Sequence, residues 1–393
     1  MSSSLRHRED APLRFEVSLS SDVGVVGGSA AGLFTAHLLG RAGLRVQVLE
    51  AAEDFDPRPR TLIVTGQMNE ILGGVGKNAL LNEIHQFELF TDGRAARIAL
   101  RQPDLVIERS ELIHELAAAA QASGTEILLG RRFVSIEPRG QALSLHVERS
   151  QDAGAEEVRV GTVVGADGAL SRVARAAGWP AQATVPLVQA IVRLPQGMSP
   201  HTTRVWFIPE ETPYFYWLIP NSSSRGVVGL IGQEGPATRQ ALERFLERQR
   251  LDPLEYQAAR IPVYSKWIPV RRRLAGGEVY LVGDAAGHVK ATTVGGIVTG
   301  FRGALGVAEA ILKGRQGRKL GDLRRELNLH WLIRRALHSF TQAHYSRLMD
   351  LLNARARKDL EAHTRDEPGQ VLWRLCLHQP RLLLFGLRAF FHW

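Results

Sequence analysis

One segment late in the chain carries a carboxylate and a glycine pair at a suggestive spacing. The apolar run 279–282 predicts a strand, and Asp284 follows directly after its end. After a polar loop, Gly295 and Gly296 open an apolar segment of helical spacing that begins at Ile297. A carboxylate can accept hydrogen bonds from a polyol, and a helix start offers free N–H groups and a positive dipole end to an anion. A flavin has both a polyol chain and, when reduced, an anionic ring edge, so this segment predicts a flavin site.

A glycine-rich turn near the N-terminus has the spacing of a dinucleotide-binding fingerprint. One predicted strand precedes this turn, and a helix and a second strand follow it. The fingerprint needs small residues at its first, third and sixth positions, which are Gly27, Ser29 and Gly32 here. Glu50 ends the second strand, where a carboxylate binds ribose hydroxyls, and an ordinary tight turn would not account for it. The predicted cofactor contacts are Gly27, Gly28, Ser29, Ala30, Ala31, Gly32 and Glu50.

A further strand-to-helix turn is centred on Asp167, and with it the chain resembles a known superfamily. The flavoprotein hydroxylases carry three such fingerprints in the same order. Within that superfamily the chain is most similar to the geranylgeranyl reductase family of prenyl reductases. Ser-Arg-Val-Ala-Arg at 171–175 resembles that family's segment, as does Tyr-Phe-Tyr-Trp-Leu-Ile-Pro at 214–220. Val-Lys-Ala-Thr-Thr-Val-Gly-Gly-Ile at 289–297 resembles its Val-Lys-Pro-Thr-Thr-Gly-Gly-Gly-Ile.

The resemblance implies an α/β fold of the hydroxylase-like flavoprotein type. It implies a Rossmann-like FAD-binding domain, an interleaved antiparallel-sheet substrate domain and a C-terminal helical region. It also implies that Arg109 touches the flavin, the alternative being a solvated arginine near a helix start. We further expect Asp167 to contact the cofactor and Val134 to present its backbone to the adenine. The predicted segments are a loose tail at 1–20, FAD-binding parts at 21–184 and 266–315, a substrate domain at 185–265 and a basic helical region at 316–393.

The stretch between the last two flavin motifs predicts the substrate wall. Alternating strand-like runs separated by turn-rich sequence indicate an antiparallel sheet. Strand alternation would put Tyr214 and Tyr216 on one face, with Phe215 and Trp217 on the other. An aromatic, uncharged wall suits an isoprenoid tail or a flat aromatic compound equally well. Phe215 and Trp217 are therefore candidate substrate contacts, and ordinary sheet packing is the alternative.

The chemistry expected of a flavin needs few protein groups. Reduced flavin can pass a hydride to an alkene carbon or activate oxygen for hydroxylation, and the cofactor performs the difficult step either way. His288 is the candidate for proton transfer, because an ordinary histidine titrates near pH ~6.5; the alternative is a satisfied loop residue. Many reductases of the resembling family carry a Cys-Gly pair near the flavin. Thr65-Gly66 stands at the matching place, so Thr65 is a candidate substrate contact that cannot form a thiolate.

Composition bounds these expectations. The chain has 393 residues, 45% of them apolar and 23% charged, which is typical of a globular protein. Its single cysteine, Cys376, excludes an internal disulfide framework and a cysteine-based metal cluster, and we predict no metal site. Residues 1–20 lack the apolar run of a signal peptide, and no run reaches the roughly 18 apolar residues of a membrane span. We therefore expect a cytoplasmic protein.

The formal charge of +9 lies entirely in the last part of the chain. Residues 311–393 hold 16 Lys and Arg against 7 Asp and Glu, and the preceding residues are balanced. The same stretch is rich in aromatics, and 371–377 and 381–393 predict short amphipathic segments. Such segments suit an anionic membrane surface on the inner face of the membrane, and a helical cap packed on the flavin domain is the alternative. No recognition motif accompanies the charge, so nucleic acid is not an expected partner.

These observations predict an FAD-dependent oxidoreductase. The favoured reaction is reduction of double bonds in a geranylgeranyl-type prenyl chain by hydride transfer from reduced flavin. The alternative is an FAD-dependent monooxygenase that hydroxylates an aromatic or polyketide-like compound, and a flavoprotein that only binds and signals is a third. Because no second nucleotide fingerprint is evident, the electron donor stays open between NAD(P)H and a ferredoxin-type protein.

Overall fold

The computed structural model describes residues 16–17, 21–55, 59–152, 154–352, 354–362, 364–367 and 369–370. Its helices are α1 Ala30–Arg41, α2 Gln67–Leu72, α3 Arg109–Ala122, α4 Arg172–Ala176, α5 Gly235–Gln249, α6 Ile297–Lys313, α7 Arg318–His338, α8 Gln342–Leu351 and α9 Ala354–Ala362. Its strands are β1 Glu16–Val17, β2 Ser21–Val26, β3 Val46–Leu49, β4 Thr61–Val64, β5 Leu80–Thr91, β6 Arg94–Glu108, β7 Glu126–Leu128, β8 Arg131–Arg139, β9 Ala142–Arg149, β10 Ala155–Gly165, β11 Thr184–Arg193, β12 Thr202–Trp206, β13 Tyr216–Pro220, β14 Arg225–Ile231, β15 Pro253–Pro262, β16 Arg271–Leu274 and β17 Gly277–Leu281.

The first sheet places the three flavin motifs at the same end of its strands. Its central strands lie in the order β17-β10-β2-β3-β7 and all run parallel. Strands β2 and β3 are short apolar runs that are almost entirely buried, as are the last residues of β10 and β17, which is typical of parallel strands covered by helices. Each predicted motif follows the carboxyl end of one of them: Gly27 follows β2, Asp167 follows β10 and Asp284 follows β17. Ligands bind at this end of open parallel sheets, so the predicted α/β fold places its cofactor motifs where such a site is expected.

The second sheet lies beside the first and is mostly antiparallel. Its strand order is β15-β11-β14-β13-β12-β5-β6-β4, with β12 and β5 the parallel neighbours. The predicted antiparallel strands and the helix among them, α5, are present. Strands β4, β5 and β6 also pair in this sheet, although the predicted segmentation assigns residues 61–108 to the FAD-binding part. These strands join the second sheet because β5 of the long β5–β6 hairpin pairs with β12, which lies about a hundred residues later in the chain.

The C-terminal helices pack on the rest of the protein. Helix α7 lies against α6, and α8 and α9 contact the β5–β6 hairpin. Met349, Leu352 and Ala356 bury their side chains with Ala96 of β6 in one apolar cluster. Among the residues that the structure describes, no helix is long and apolar enough to cross a membrane. Both predicted amphipathic segments, 371–377 and 381–393, and Cys376 lie outside the described residues.

Candidate active site

The turn between β2 and α1 has room only for glycine. Gly27 has a φ of +104°, and a Cβ there would lie 2.6 Å from the Ala166 carbonyl oxygen. A Cβ on Gly28 would lie 2.7 Å from the Phe55 ring, and one on Gly32 would lie 2.4 Å from the Gly27 carbonyl oxygen. Real Cβ atoms do not approach so closely, so these positions allow the backbone itself to face a ligand. The first and second motifs are therefore in contact through Gly27 and Ala166.

Glu50 and Ser29 fix the shape of this turn. One carboxylate oxygen of Glu50 accepts a hydrogen bond from the Gly28 N–H at 2.6 Å, and the other accepts one from the Ala52 N–H at 2.9 Å. Ser29 caps α1 and accepts a hydrogen bond from the Gly32 N–H at 3.2 Å. The half-buried Glu50 carboxylate thus lies directly beside the glycine turn, as a ribose-binding group should.

Helix α1, which follows the glycine turn, packs against the third motif around Asp284. Ala30 and Ala31 are its first residues, and both are buried. A Cβ on Gly283 would lie 2.9 Å from the Ala31 Cβ, and one on Gly300 would lie 3.6 Å from the same atom. Ala31 is therefore a packing residue that joins α1 to the strand end before Asp284 and to α6. Ala30 and Ala31 support the site by keeping these three elements close.

A cavity of about 510 Å³ opens at the nucleotide end of the three motifs. Its walls combine the glycine turn, the end of β3 with the loop after it, the start of α3, the start of β8 and the loop after β10, so it takes residues from five separate stretches. The lining residues include Gly27, Gly28, Ser29, Glu50, Phe55, Arg109, Arg131, Arg132, Phe133, Asp167 and Arg172. Four arginines around backbone N–H groups suit a ligand that carries phosphates.

Two further predicted cofactor contacts, Asp167 and Val134, belong to the elements around this cavity. Asp167 lines the cavity, but its carboxylate accepts hydrogen bonds from the Ser171 hydroxyl at 2.5 Å and the Arg172 N–H at 2.6 Å. It therefore holds the start of α4. Val134 occupies a register shift of the β8–β9 pair, its side chain is 45% exposed, and its neighbours Arg132 and Phe133 line the cavity in its place.

Asp284 lies at the second end of the site with two arginines. A Cβ on Gly296 would lie 3.1 Å from its Oδ1, so the carboxylate and the glycine pair are adjacent as predicted. Burial raises the pKa of the Asp284 carboxyl, and the guanidinium groups of Arg60 and Arg109 oppose that rise. Burial lowers the pKa of Arg60 to about 10, and the charge of Arg109 adds to that fall. The Arg60 Nε is buried without a hydrogen-bond partner among the described residues, so it is a donor suited to a ligand oxygen.

The start of α6 is open in the way the sequence predicts. Gly296 is its N-cap and carries no side chain to cap the first N–H groups. Gly295 is exposed, and Ile297 packs its half-buried side chain against the core of the first sheet. This helix end therefore presents backbone N–H groups next to Asp284.

The structure argues against proton transfer by His288. Its ring is fully buried, stacks on Trp267 with ring centroids 5.5 Å apart, and fills the space beside Gly303. Neither ring nitrogen has a hydrogen-bond partner among the described residues. Burial lowers the pKa of His288 to about 3, which favours the neutral ring over the imidazolium that would act as the proton donor. Its backbone oxygen accepts a hydrogen bond from the Thr299 hydroxyl, which ties the loop to α6.

Thr65 belongs to a buried charged cluster that the sequence does not predict. Its hydroxyl donates to Asp366, whose other oxygen forms an ion pair with Lys290 in the loop after His288. All three side chains are buried. The Lys290 ammonium and the hydrogen bonds to the carboxylate hold the pKa of Asp366 below its usual range, although burial opposes this. Next to it, Arg365 pairs with the buried Asp104 of β6 at 2.6 Å. The segment 364–367 is thus held by two adjacent residues of opposite charge: Arg365 binds Asp104 of β6, and Asp366 binds Thr65 after the end of β4.

A second polar group connects the same loop to α7. The Thr292 hydroxyl and the Nδ1 of His330 lie 2.7 Å apart, and Arg302 of α6 forms an ion pair with Glu326. Burial lowers the pKa of His330 to about 3, with the Lys290 charge contributing. The loop between Asp284 and α6 is therefore held from outside by α7 and by residue 366.

The aromatic wall is present, with one correction. Phe215 and Trp217 lie with ring centroids 6.1 Å apart, and both belong to an apolar cluster on one face of the second sheet. Tyr214 belongs to this same cluster, whereas Tyr216 stacks on Phe245 of α5 on the other face. The prediction that Tyr214 and Tyr216 share a face is wrong because β13 begins at Tyr216, so strand alternation does not extend back to Tyr214.

The described residues fit a flavin dinucleotide. The glycine turn and the arginine-rich cavity suit its phosphates, Glu50 its ribose and Asp284 its polyol, while the unpartnered Arg60 Nε offers one more donor. A family model described as an FAD binding domain matches residues 20–323. The class of protein is therefore an FAD-dependent oxidoreductase with a hydroxylase-like fold.

Comparison with single proteins narrows this class. Digeranylgeranylglycerophospholipid reductase 2 of Methanothermobacter thermautotrophicus is 30% identical over 302 residues, which are 70% of this chain and 74% of that protein. A geranylgeranyl bacteriochlorophyll reductase-like protein of Thermoplasma acidophilum superposes with a TM-score of 0.76 at 18% identity, over 94% of this chain and 99% of the other. The flavin-dependent monooxygenase PieE, solved with FAD and substrate, superposes with a TM-score of 0.64 at 17% identity, over 93% and 72% of the two chains. The chain belongs to the FAD-binding family and, within it, to the geranylgeranyl reductases.

Several residues of the site were not predicted from the sequence. Arg60 lies outside the three fingerprints, yet its guanidinium reaches the surroundings of Asp284. Asp366 and Asp104 carry no motif, and their partners lie far away in the chain. Lys290 lies in the segment after Asp284 that resembles the family, but its ion pair with Asp366 leaves no signal in the sequence.

Proposed function

We propose that this protein reduces double bonds of a geranylgeranyl-type prenyl chain. The observation that carries the proposal is that the loop between Asp284 and α6 meets a face of the second sheet that is built of aromatic and aliphatic side chains. A prenyl chain has no polar groups to recognise, so an apolar wall beside the cofactor is the surface that suits it. The names of the relatives, which are prenyl-lipid reductases, support the same substrate class.

The residues named above take distinct roles in this proposal. When bound, reduced FAD would supply a hydride to one carbon of the double bond, and the other carbon would take a proton that comes ultimately from solvent. Gly27, Gly28 and Glu50 hold the nucleotide end, while Asp284 and the start of α6 orient the reacting end. Phe215 and Trp217 would pack along the prenyl chain and exclude water from it, because burying its apolar surface is what favours binding of such a chain.

Two wider proposals follow from the same features. We propose that the FAD-binding parts are 21–184 and 266–315, with strands β4 to β6 of the former contributing to the substrate wall. The basic excess of residues 311–393 supports attachment to an anionic membrane surface, where prenyl lipids are found. An external electron donor must reduce the flavin before each turnover, and the candidates are NAD(P)H and a ferredoxin-type protein.

An anaerobic assay tests the proposed reaction. FAD-loaded protein is reduced with dithionite under argon and mixed with a geranylgeranyl phospholipid, and the flavin absorbance is followed. We expect the oxidised spectrum to return with the unsaturated lipid and to stay absent with its fully saturated phytanyl analogue. If reoxidation requires oxygen and the product gains a hydroxyl group, the protein is a monooxygenase and the proposal fails.

A further inference from the structure

Val294 has a backbone conformation that valine rarely adopts. Its φ is +54°, and the other described non-glycine residues with positive φ are Asp92 and Arg250. Asp92 lies at the tip of the β5–β6 hairpin and Arg250 is the C-cap of α5, which are common places for this conformation. A β-branched residue in the left-handed region is a genuine outlier, and such strain persists where the surrounding structure imposes it.

Hydrogen bonds in the loop before α6 impose this conformation. The Val294 N–H donates to the Lys290 carbonyl oxygen at 2.8 Å, and the Lys290 N–H donates to the Gly295 carbonyl oxygen at 3.1 Å. The loop is thus closed on itself directly before Gly296 and the open start of α6. Lys290 is in turn fixed by Asp366. Val294 is therefore held in place from both sides of the loop.

The side chain of Val294 bridges the two halves of the site. It is half-buried and packs against the apolar cluster of the second sheet that contains Tyr214, Trp217 and Ile219. Phe215 packs against the same cluster. The residue that follows, Gly295, belongs to the glycine pair beside Asp284. Val294 is thus the point at which the predicted flavin-binding loop touches the predicted substrate wall.

We propose that Val294 determines substrate width. Resting on the proposed function, the inference is that its two methyl groups narrow the space between the flavin-binding loop and the Phe215–Trp217 wall. A single methyl-branched chain passes through a narrow slot, whereas a fused ring system needs a wider one. Val294 has a strained backbone, and its side chain lies between the flavin-binding loop and the wall. These two features fit a residue that selects a methyl-branched chain over a fused ring system.

The test separates space from backbone strain with three variants of the FAD-loaded full chain. Val294→Gly removes both the methyl groups and the strain, and Val294→Ala removes the two methyl groups while keeping a Cβ at positive φ. Arg250→Gly is the matched control, because Arg250 has the same φ at the end of α5. Binding is measured from the flavin difference spectrum with a geranylgeranyl phospholipid and with an anthraquinone, and stability from the unfolding midpoint.

We expect both Val294 variants to shift the ratio of the two dissociation constants toward the anthraquinone by about tenfold, the discrimination that a methylene or two provides in an apolar pocket. Arg250→Gly should raise the unfolding midpoint by relieving the same backbone strain, and it should leave the ratio unchanged. An unchanged ratio in both Val294 variants would overturn the proposal and leave Val294 with a structural role. A shifted ratio in a protein that reduces no prenyl lipid would support the width role and reject the proposed substrate.

Discussion

The two ends of the flavin site are built in opposite ways. At the nucleotide end, short stretches between residues 26 and 172 shape an open cavity, and the glycine turn has no room for a Cβ at Gly27, Gly28 or Gly32. At the reaction end, buried charges come together from far apart, with Thr65 and Asp366 separated by 301 positions. The nucleotide end therefore depends on glycines that leave no side chain in the turn. The reaction end depends on buried charges that are paired with one another.

The largest effect should follow from adding volume at the nucleotide end. Gly32→Ala places a Cβ 2.4 Å from a carbonyl oxygen and 2.8 Å from the Ala166 Cβ. The Gly27 and Ala166 backbones are held by hydrogen bonds that their N–H groups donate to Leu49 and Val26, so neither can easily move away. We therefore expect the purified variant to lose most of its FAD, as measured by absorbance per protein. Gly321→Ala is the matched control in α7, where a Cβ meets nothing within 4 Å. It should retain FAD and be more stable by up to about 1 kcal/mol; full FAD content in Gly32→Ala would contradict this account.

Removing one charge at the reaction end should come next. Lys290→Met leaves Asp366 buried without its ion-pair partner, so we expect a loss of about 3–5 kcal/mol in the free energy of unfolding. The double variant with Asp366→Leu removes both charges and should recover much of that loss in urea unfolding. Because the folded-state pKa of Asp366 is lowered, its contribution is present above pH ~3.9 and lost as the pH falls through the folded-state value. Equal losses in the single and double variants would show that the pair is not coupled.

Asp284 should show a conflict between binding and stability. Asp284→Asn removes the anionic acceptor for the flavin polyol, so we expect FAD affinity to fall about tenfold to a hundredfold. Burial raises the pKa of this carboxyl, so the ionised group disfavours the folded state at pH values above the unfolded-state pKa of ~3.9. The FAD-free variant should therefore have the higher unfolding midpoint at pH 7, and the difference should vanish near pH ~4. A lower midpoint at pH 7 would mean that the carboxylate is needed to balance Arg60 and Arg109.

The smallest effect is expected at His288. His288→Leu removes two unpartnered ring nitrogens, so we expect the free energy of unfolding to change by less than about 1.5 kcal/mol at pH 7. The folded-state pKa of about 3 lies below that of the unfolded chain, so wild type loses stability as the pH falls from ~6.5. At pH 5 the variant should avoid a loss of about 2 kcal/mol. A pH dependence of flavin reoxidation near pH ~6.5 that disappears in the variant would restore His288 as a proton donor.

The difference between the two ends also explains what the sequence could predict. Gly27, Glu50, Asp284 and Gly296 lie in local strand-to-helix motifs, and the structure brings them together at the carboxyl ends of parallel strands. Asp366 and Arg60 could not be predicted, because contacts between charges on distant segments leave no spacing in the chain. His288 stays a prediction that burial disfavours, and no local pattern in the sequence reports that burial.

The same limit applies to the substrate wall. Phe215 and Trp217 were predicted to lie on the same face of the sheet. Strand alternation does not hold for Tyr214, which lies two residues before β13 begins. The strained conformation of Val294 arises from the hydrogen bonds of its loop, and its contact with the wall arises from the packing of two sheets. Neither property is encoded in the residue type.

The mass of the lipid product from one turnover tests the central claim most directly. FAD-loaded protein, reduced with dithionite, is mixed with a geranylgeranyl phospholipid either under argon or under ¹⁸O₂. We predict that the product gains about two mass units per reduced double bond under argon and carries no ¹⁸O in the second reaction. A product that forms only under ¹⁸O₂ and carries one labelled oxygen would contradict the account and make the protein a monooxygenase.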